Sequence, residues 1–315
     1  MNVAILAGGV GGARFVRAAV AALGPEAVTV IVNTGDDERF HGLFVSPDLD
    51  SVLYTLAGEN DARRGWGLSE ETFRAFEALR RFDPQAWFQL GDRDLGTHLF
   101  RTQVLAGGGT LAEATRSIAT ALGVRATVLP MSDQPVRTLI ETDRGTLTFQ
   151  QFHVRERSQP LVRSVRYDGG ESARPSPGVL EALAQADVIL VAPSNPVSSI
   201  APILAVPAIR SALVNAARPI VGLSGIRGGA PFRGDADRFL TGLGVEVSPV
   251  GVARLYRGWV HGLVIDDLDV ALAPSIGALG PRVATCDTAL DPLERGIAAV
   301  ERCVELATRC APTGR

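Results

Sequence analysis

The sequence contains no lysine, and all 31 of its basic residues are arginine. A nucleotide-binding loop of the Walker type needs a lysine that reaches the phosphates, so this kind of loop is excluded. Histidine is sparse, with four residues, and none is spaced with cysteine or glutamate as a zinc site requires. The Gly-x-Ser-x-Gly motif of serine hydrolases is also missing. We therefore expect neither a zinc centre nor a catalytic triad.

Cysteine is limited to Cys286, Cys303 and Cys310, without zinc-ligand spacing. Such sparse cysteines are typical of reduced thiols in a cytoplasmic protein. The first residues have no basic segment typical of a signal peptide, and no apolar run reaches the length of a membrane span. The net charge of -3 argues against a nucleic-acid partner. We expect a cytoplasmic protein that binds neither membrane nor nucleic acid.

Along the chain, short apolar runs alternate with stretches that have the residue spacing of helices. The runs 3–6 and 28–32 read as buried parallel strands, and residues 13–23 between them read as a helix. This βαβ order predicts an α/β fold, a Rossmann-like, doubly wound and mostly parallel sheet. Further strands are predicted at 126–129, 188–192, 219–223 and 263–265, with helices at 177–184 and 290–309.

The middle of the chain is predicted to be a helical insertion, within a single domain spanning 1–315. The Rossmann-like core takes about 1–48 and 124–290, and the insertion about 49–123. Helical spacing occurs at 50–57, 70–81, 92–106 and 111–122. Two runs, 136–142 and 146–152, flank Asp143-Arg144-Gly145 and predict a small β-hairpin. Residues 158–177, rich in Arg, Gly, Ser and Pro, are expected to be irregular.

A glycine-rich segment follows the first strand. Its four glycines are Gly8, Gly9, Gly11 and Gly12. Glycine lets the backbone approach phosphate oxygens, and a helix N-terminus adds free N–H groups. We predict a phosphate site here, although a simple tight turn would use the same residues.

Carboxylates follow the second predicted strand. Asp36 and Asp37 stand at its carboxyl end, where ligands bind in parallel sheets. Beside a phosphate site, two acids suggest a magnesium ion, whereas an Asx-turn or a helix cap is the structural alternative. Asp48 and Asp50 follow, and Asp48 is the better candidate for a helix cap. Parallel sheets bind ligands in a crevice outside the carboxyl ends of their strands. Placing two more negative charges beside this crevice costs free energy unless a cation or a hydroxyl donor compensates them.

Two later motifs also offer polar groups. Ser194 and Asn195 follow the strand at 188–192 and suit recognition of a base or a phosphate. Asp92, after the aromatic pair Trp87-Phe88, suits the dipole of the next helix, although such aromatics are more often core. Acidic groups with a phosphate loop suit metal-assisted displacement at phosphorus.

Together these motifs resemble the 2-phospho-L-lactate transferases of coenzyme F420 biosynthesis, called CofD in archaea and FbiA in actinobacteria. The matching segments stand in family order and span most of the chain: 8–15, 33–37, 47–50 with 54–56, 65–67, 90–95 with 97–99, 149–150 and 193–196. Val10 and the Ala13-Arg14-Phe15 that follows are closer to the actinobacterial branch.

The resemblance implies a specific reaction. Family members transfer a phospholactyl-type group from a guanylyl-activated donor to the ribityl hydroxyl of the deazaflavin FO, with loss of GMP and a need for Mg²⁺. Archaeal members use the lactyl donor and actinobacterial members the enolpyruvyl donor. The family usually forms homodimers, so a homodimer is expected here.

The resemblance also assigns residues. Asp36 matches the proposed metal-binding aspartate, with Asp37 in support, and Asp50 matches the aspartate that binds FO. Asp50 is our candidate for the general base. Gln89 stands where an archaeal member has a lysine that contacts the substrate. The position therefore matches the family, but the side chain does not. Other residues expected to contact the substrates are Asp92, Arg93, Ser194, Asn195 and the four glycines.

Two alternatives stay open. One is another nucleotide-dependent phosphoryl transferase on the same scaffold, acting on a different hydroxylated acceptor. The other is a non-catalytic nucleotide-sugar sensor, whose relatives read Asp-Asp-Gly-Gly-Ser after the second strand. Here Asp37 is followed by Glu-Arg-Phe-His-Gly, so that motif is missing.

Overall fold

Seven parallel strands form the central sheet of the computed structural model, which describes residues 1–310. The strands are β1 Val3–Ala7, β2 Val28–Val32, β3 Glu38–Phe40, β4 Leu43–Val45, β5 Thr127–Pro130, β6 Arg137–Thr142, β7 Gly145–Thr148, β8 Val162–Asp168, β9 Val188–Val191, β10 Ile220–Leu223, β11 Ile226–Arg227, β12 Ala230–Pro231, β13 Gly262–Asp266 and β14 Arg282–Cys286. The helices are α1 Gly9–Leu23, α2 Pro47–Ala57, α3 Arg74–Leu79, α4 Asp94–Ala106, α5 Leu111–Ala121, α6 Val179–Gln185, α7 Ala201–Leu204, α8 Pro207–Val214, α9 Ala236–Gly242, α10 Pro249–Leu255, α11 Ala273–Gly277 and α12 Leu293–Arg309. Two π-helical turns, Gln151–Arg155 and Pro196–Ile200, follow β7 and β9.

The strand order of the main sheet is β14-β13-β10-β9-β1-β2-β5. The chain winds outward from β1 through β2 to β5, and then returns to build the other half from β9. The predicted α/β, doubly wound fold is therefore confirmed. The winding reverses between β1 and β9, and ligands of such sheets bind in the crevice outside the strand ends at this reversal.

The sheet is buried on both faces, which explains why its strands read as continuous apolar runs. On one face Ile5 packs in a cluster with Phe15 of α1 and Val300 of α12. On the other face Leu6 packs with residues that include Phe152 and Ile203. Neighbouring residues of β1 thus supply two separate cores.

The predicted helices of the middle region are present. α2 starts earlier than predicted, at Pro47, and the other three are shorter than predicted. α2 packs against α1 and contributes Leu49, Val52 and Leu53 to the same buried cluster as the sheet. The small antiparallel pair β3–β4, at 38–45, was not predicted. Its strands of three residues are too short to give a period-2 pattern.

The predicted hairpin is confirmed as β6–β7, but it ends at Thr148, and the prediction of strand up to 152 is wrong. Residues 158–177 are not irregular throughout, because β8 lies within them and pairs with β6. β8 has arginines at exposed positions. Because of this polar composition, the sequence shows no apolar run that would predict a strand there. Helices α7 to α11 and strands β11, β12 and β14 were also missed.

Within residues 1–310, no single helix is both long and apolar enough to cross a membrane. One pair, 196–204 with 207–214, meets the criteria of length and composition only when joined, and its two parts are bent by 93°.

Candidate active site

Most of the glycine-rich segment after β1 belongs to a helix, so the loop is shorter than predicted. Gly8 is the N-cap of α1, and the helix starts at Gly9 rather than at Ala13. The low helix propensity of glycine favoured a longer loop, but packing against neighbouring loops overrides it. Gly9 has φ of 67°, a conformation that glycine adopts without steric cost.

Close contacts surround Gly8 and Gly12. A Cβ on Gly12 would lie 2.6 Å from the Ser194 hydroxyl oxygen, and one on Gly8 would lie 2.4 Å from Oδ2 of Asp48. The Ser194 hydroxyl accepts a hydrogen bond from the Gly8 amide at 3.1 Å and donates one to the Gly8 carbonyl at 2.7 Å. The predicted residues Gly8 and Ser194 are therefore in direct contact, and both glycines are needed for this fit.

Asp48 also belongs to this site, as one of the two further acids that the sequence analysis placed beside the crevice. It was expected to cap α2, but Ser46 is the N-cap residue, and Asp48 lies in the first turn. Its carboxylate instead accepts a hydrogen bond from the Asn33 amide nitrogen at 2.8 Å. Burial raises the pKa of Asp48 to about 6, although the hydrogen bond from Asn33 opposes this shift. Only the tertiary structure brings the start of α2 to the end of β2.

Asp36 and Asp37 lie at the end of β2 with unsatisfied carboxylate oxygens. Oδ1 of Asp36 and Oδ2 of Asp37 are buried and have no hydrogen-bond partner among the described residues. Burial raises the pKa of both carboxyls well above the usual value, and the charges of neighbouring aspartates add to the effect. A buried carboxylate without a partner is costly, so this pair suits a bound cation.

Asp50 lies deeper, on α2, and is only 4% exposed. Both of its oxygens accept hydrogen bonds from the fully buried guanidinium of Arg101 in α4. Each carboxylate oxygen offers two acceptor sites, so this pairing does not use all of them. Asp50 has no hydrogen bond to Asp36 or Asp37 within residues 1–310, and its expected role as base stays a prediction.

The same buried network includes Asp94 and His98. His98 Nε2 lies 3.1 Å from the Asp94 carboxylate, which also accepts a hydrogen bond from the Tyr54 hydroxyl at 2.5 Å. Ligand atoms of Asp50, Asp94 and His98 lie within 4.8 Å of one another, as in a metal site. The Arg101 guanidinium already supplies the positive charge there, so we interpret the cluster as an ion-paired link between α2 and α4.

The other predicted substrate contacts lie in the segment ahead of α4. Asp92 accepts hydrogen bonds from the backbone N–H groups of Arg74 and Ala75, both at 3.0 Å, and so caps α3. The Arg93 guanidinium donates to the Ser69 carbonyl at 2.6 Å and also pairs with a glutamate. Gln89 is exposed. Within residues 1–310 these three side chains make no hydrogen bond to the acidic crevice.

Asn195 connects the loop after β9 to a pair of residues that the sequence did not reveal. Its side-chain oxygen caps the π-helical turn by accepting from the Val197 amide at 2.9 Å, and its nitrogen lies 3.4 Å from Oδ1 of Asp235. Asp235 in turn holds His153, with 2.8 Å between Oδ2 and Nδ1. These two residues are 82 positions apart, so no local motif could have identified them.

One cavity is separate from these groups. It has a volume of about 1130 Å³ and lies between β8 and α8, with Arg166, Tyr167 and Arg210 among its lining residues. None of the predicted site residues lines it. We place the candidate site in the crevice because the buried, unsatisfied carboxylates lie there.

The fold and the crevice define an α/β protein with a candidate ligand site outside the strand ends, and comparison with known proteins identifies the family. The family model for "2-phospho-L-lactate transferase CofD" matches residues 3–272. A phosphoenolpyruvate transferase from Streptomyces griseus is 42% identical over 313 residues, which cover 98% of each chain. A 2-phospho-L-lactate transferase from Methanosarcina mazei is 37% identical over 291 residues, covering 92% of this chain and 95% of that protein. The chain therefore belongs to the CofD family, and the resemblance seen in the sequence is confirmed.

A solved structure supports the same fold. It is a member of the UPF0052 family from Bacillus halodurans, with a TM-score of 0.63 and 20% identity, covering 96% of this chain and 98% of that chain. At this identity the likeness bears on the fold alone.

Proposed function

We propose that this transferase moves a 2-phospholactyl or phosphoenolpyruvyl group from a guanylyl-activated donor to the ribityl hydroxyl of the deazaflavin FO. The donor is lactyl- or enolpyruvyl-2-diphospho-5'-guanosine, the leaving group is GMP, and the product is F420-0 or dehydro-F420-0. The relatives named phosphoenolpyruvate transferase and 2-phospho-L-lactate transferase support both forms of the transferred group.

One observation carries the proposal: near a glycine-lined helix N-terminus, two carboxylates each have a buried oxygen without a hydrogen-bond partner among the described residues. Gly8 is the N-cap of α1, and the free N–H groups in the first turn of a helix favour a diphosphate. Asp36 and Asp37 would hold Mg²⁺, because their unsatisfied buried oxygens need a cation. Bound Mg²⁺ supplies charge neutralisation on the phosphates.

The protein's own groups then position the acceptor. Asp50 lies on the same helix as Asp48 and would orient the ribityl hydroxyl or accept its proton. Gln89, Asp92 and Arg93, ahead of α4, would contact the deazaflavin, and Ser194 with Asn195 the guanylyl moiety. The attacking oxygen forms a bond to phosphorus as the bond to the GMP oxygen breaks.

The most direct test offers FO to the purified protein with the lactyl and enolpyruvyl donors in competition, with detection of products by mass spectrometry. We expect one deazaflavin product and an equal amount of GMP. An Asp50→Asn variant should lose most of this activity, and full activity in that variant would refute the base role. Asp168→Asn, on the exposed end of β8, is the matched control.

A titration that follows FO fluorescence separates the alternatives. Binding of FO supports the proposed acceptor. A response to a UDP-sugar with none to FO would instead favour a nucleotide-sugar sensor, and transfer to another hydroxylated acceptor would favour a different transferase. Sedimentation of the purified chain tests the homodimer that we also propose.

A further inference from the structure

His153 and Asp235 form a hydrogen-bonded pair for which the proposed reaction has so far given no role. Nδ1 of His153 lies 2.8 Å from Oδ2 of Asp235, and the Ser158 hydroxyl donates to the same oxygen at 2.7 Å. The Asp235 side chain is 9% exposed, while that of His153 is 44% exposed. The acid is thus buried, and the imidazole that it holds reaches solvent.

The local structure fixes the plane of the imidazole. The Phe149 ring stacks on it at a centroid distance of 5.4 Å and an interplanar angle of 11°. Arg157 and Ser158 both have positive φ, at 52° and 53°, a conformation that residues with side chains rarely adopt. This turn returns the Ser158 hydroxyl to Asp235, and such backbone conformations concentrate at functional sites.

The pair lies next to the loop that follows β9. Oδ1 of Asp235 lies 3.4 Å from the side-chain nitrogen of Asn195, the residue after Ser194, which contacts Gly8. The charge of His153 helps to lower the pKa of Asp48 against the effect of burial, so the two groups are within electrostatic range. His153 thus brings a positive charge to the region where the diphosphate is proposed to bind.

The charge state decides between two roles for the imidazole. A general base must be neutral, whereas an anion contact must be protonated. The hydrogen bond to Asp235 raises the pKa of His153, and the charges of Asp235 and Asp48 add to this effect. Phe149 and Ser158, which also contact the ring, are neutral. With Nδ1 held by Asp235, Nε2 is free, and it has no hydrogen-bond partner within residues 1–310.

We propose that the His153 imidazolium, oriented by Asp235, donates a hydrogen bond from Nε2 to a phosphate oxygen of the guanylyl donor. The contact adds a charged donor to the helix N-terminus at Gly8 and stabilises charge on the phosphates. This inference rests on the proposed function for the identity of the donor. The phosphate contact itself concerns any nucleoside diphosphate in the crevice.

The test uses GDP as the probe, with calorimetry in Mg²⁺ between pH 6 and 9 on the full chain. His153→Gln should weaken GDP binding about tenfold at pH 6, the scale of a hydrogen bond to a charged group. In the wild type, affinity should fall as the pH rises through the titration of His153, and this decrease should be absent in the variant. Arg155→Gln removes an exposed charge from the same turn and should follow the wild type.

Asp235→Asn keeps the shape but removes the counter-charge, so the wild-type decrease in affinity should move to lower pH. Equal GDP affinity of His153→Gln and wild type at every pH would overturn the inference. A variant that loses kcat but binds GDP as the wild type does would also overturn it, because that result indicates that His153 acts as a general base. A wild type that binds GDP but makes no product from FO would refute the proposed function alone, leaving the phosphate contact to these binding data.

Discussion

Replacing Arg101 should strongly destabilise the protein, because its guanidinium neutralises a buried carboxylate. Arg101 is 0% exposed at its side chain, and its partner Asp50 is 6% exposed. An Arg101→Met variant keeps much of the volume but leaves Asp50 and the nearby Asp94 without that charge. Removing one partner of a buried ion pair costs about 3–5 kcal/mol. With a urea m-value of about 3 kcal/mol/M, the unfolding midpoint should fall by more than about 1 M.

The matched control is Arg125→Met, which breaks a pair with Glu26 on the surface. The two side chains are 71% and 67% exposed, so the midpoint should stay close to wild type. The double variant Asp50→Leu with Arg101→Met should recover part of the loss, because one of the unpaired charges is removed. If Arg101→Met shifted the urea midpoint no more than Arg125→Met, our interpretation of the network would be wrong.

Three further predictions concern the crevice. Gly12→Ala should abolish GDP binding, measured by calorimetry, since its Cβ would lie 2.6 Å from the Ser194 oxygen, whereas Gly96→Ala meets nothing within 4 Å and should bind normally. Burial holds the pKa of Asp48 at about 6 against a model-peptide value of 3.8. Its contribution to stability is therefore present below the lower value and is lost as the pH rises through the higher one. In EDTA at pH 8, the free energy of unfolding of Asp48→Asn should be about 3 kcal/mol higher than that of the wild type, as measured by urea denaturation. At pH 4 the difference between the two should be smaller. Mg²⁺ should raise the melting temperature of the wild type at pH 8 but not that of Asp36→Asn, and an equal rise in both would contradict the metal assignment.

Strand and helix patterns predicted the architecture well where the elements are buried. The runs at 3–6 and 28–32 became β1 and β2 because parallel strands covered on both faces must be apolar throughout. β8 was missed for the opposite reason: four of its seven residues are exposed and polar, so composition alone indicated an irregular segment. The start of α1 was misplaced because glycine disfavours helix locally, while the packing of Gly8 and Gly12 against other loops is a tertiary effect.

The sequence by itself determined the fold class, the family and the positions of the strand-end motifs. It placed glycines and aspartates where parallel strands end, and the ordered motifs were specific enough to identify the family. Only the tertiary structure decided which of these groups meet. It turned Asp48 from an expected cap into a partner of Asn33, paired Asp50 with Arg101, and joined His153 to Asp235 across 82 positions. The physical reason is that burial, ion pairing and pKa depend on distances in space, which the spacing of residues along the chain does not specify.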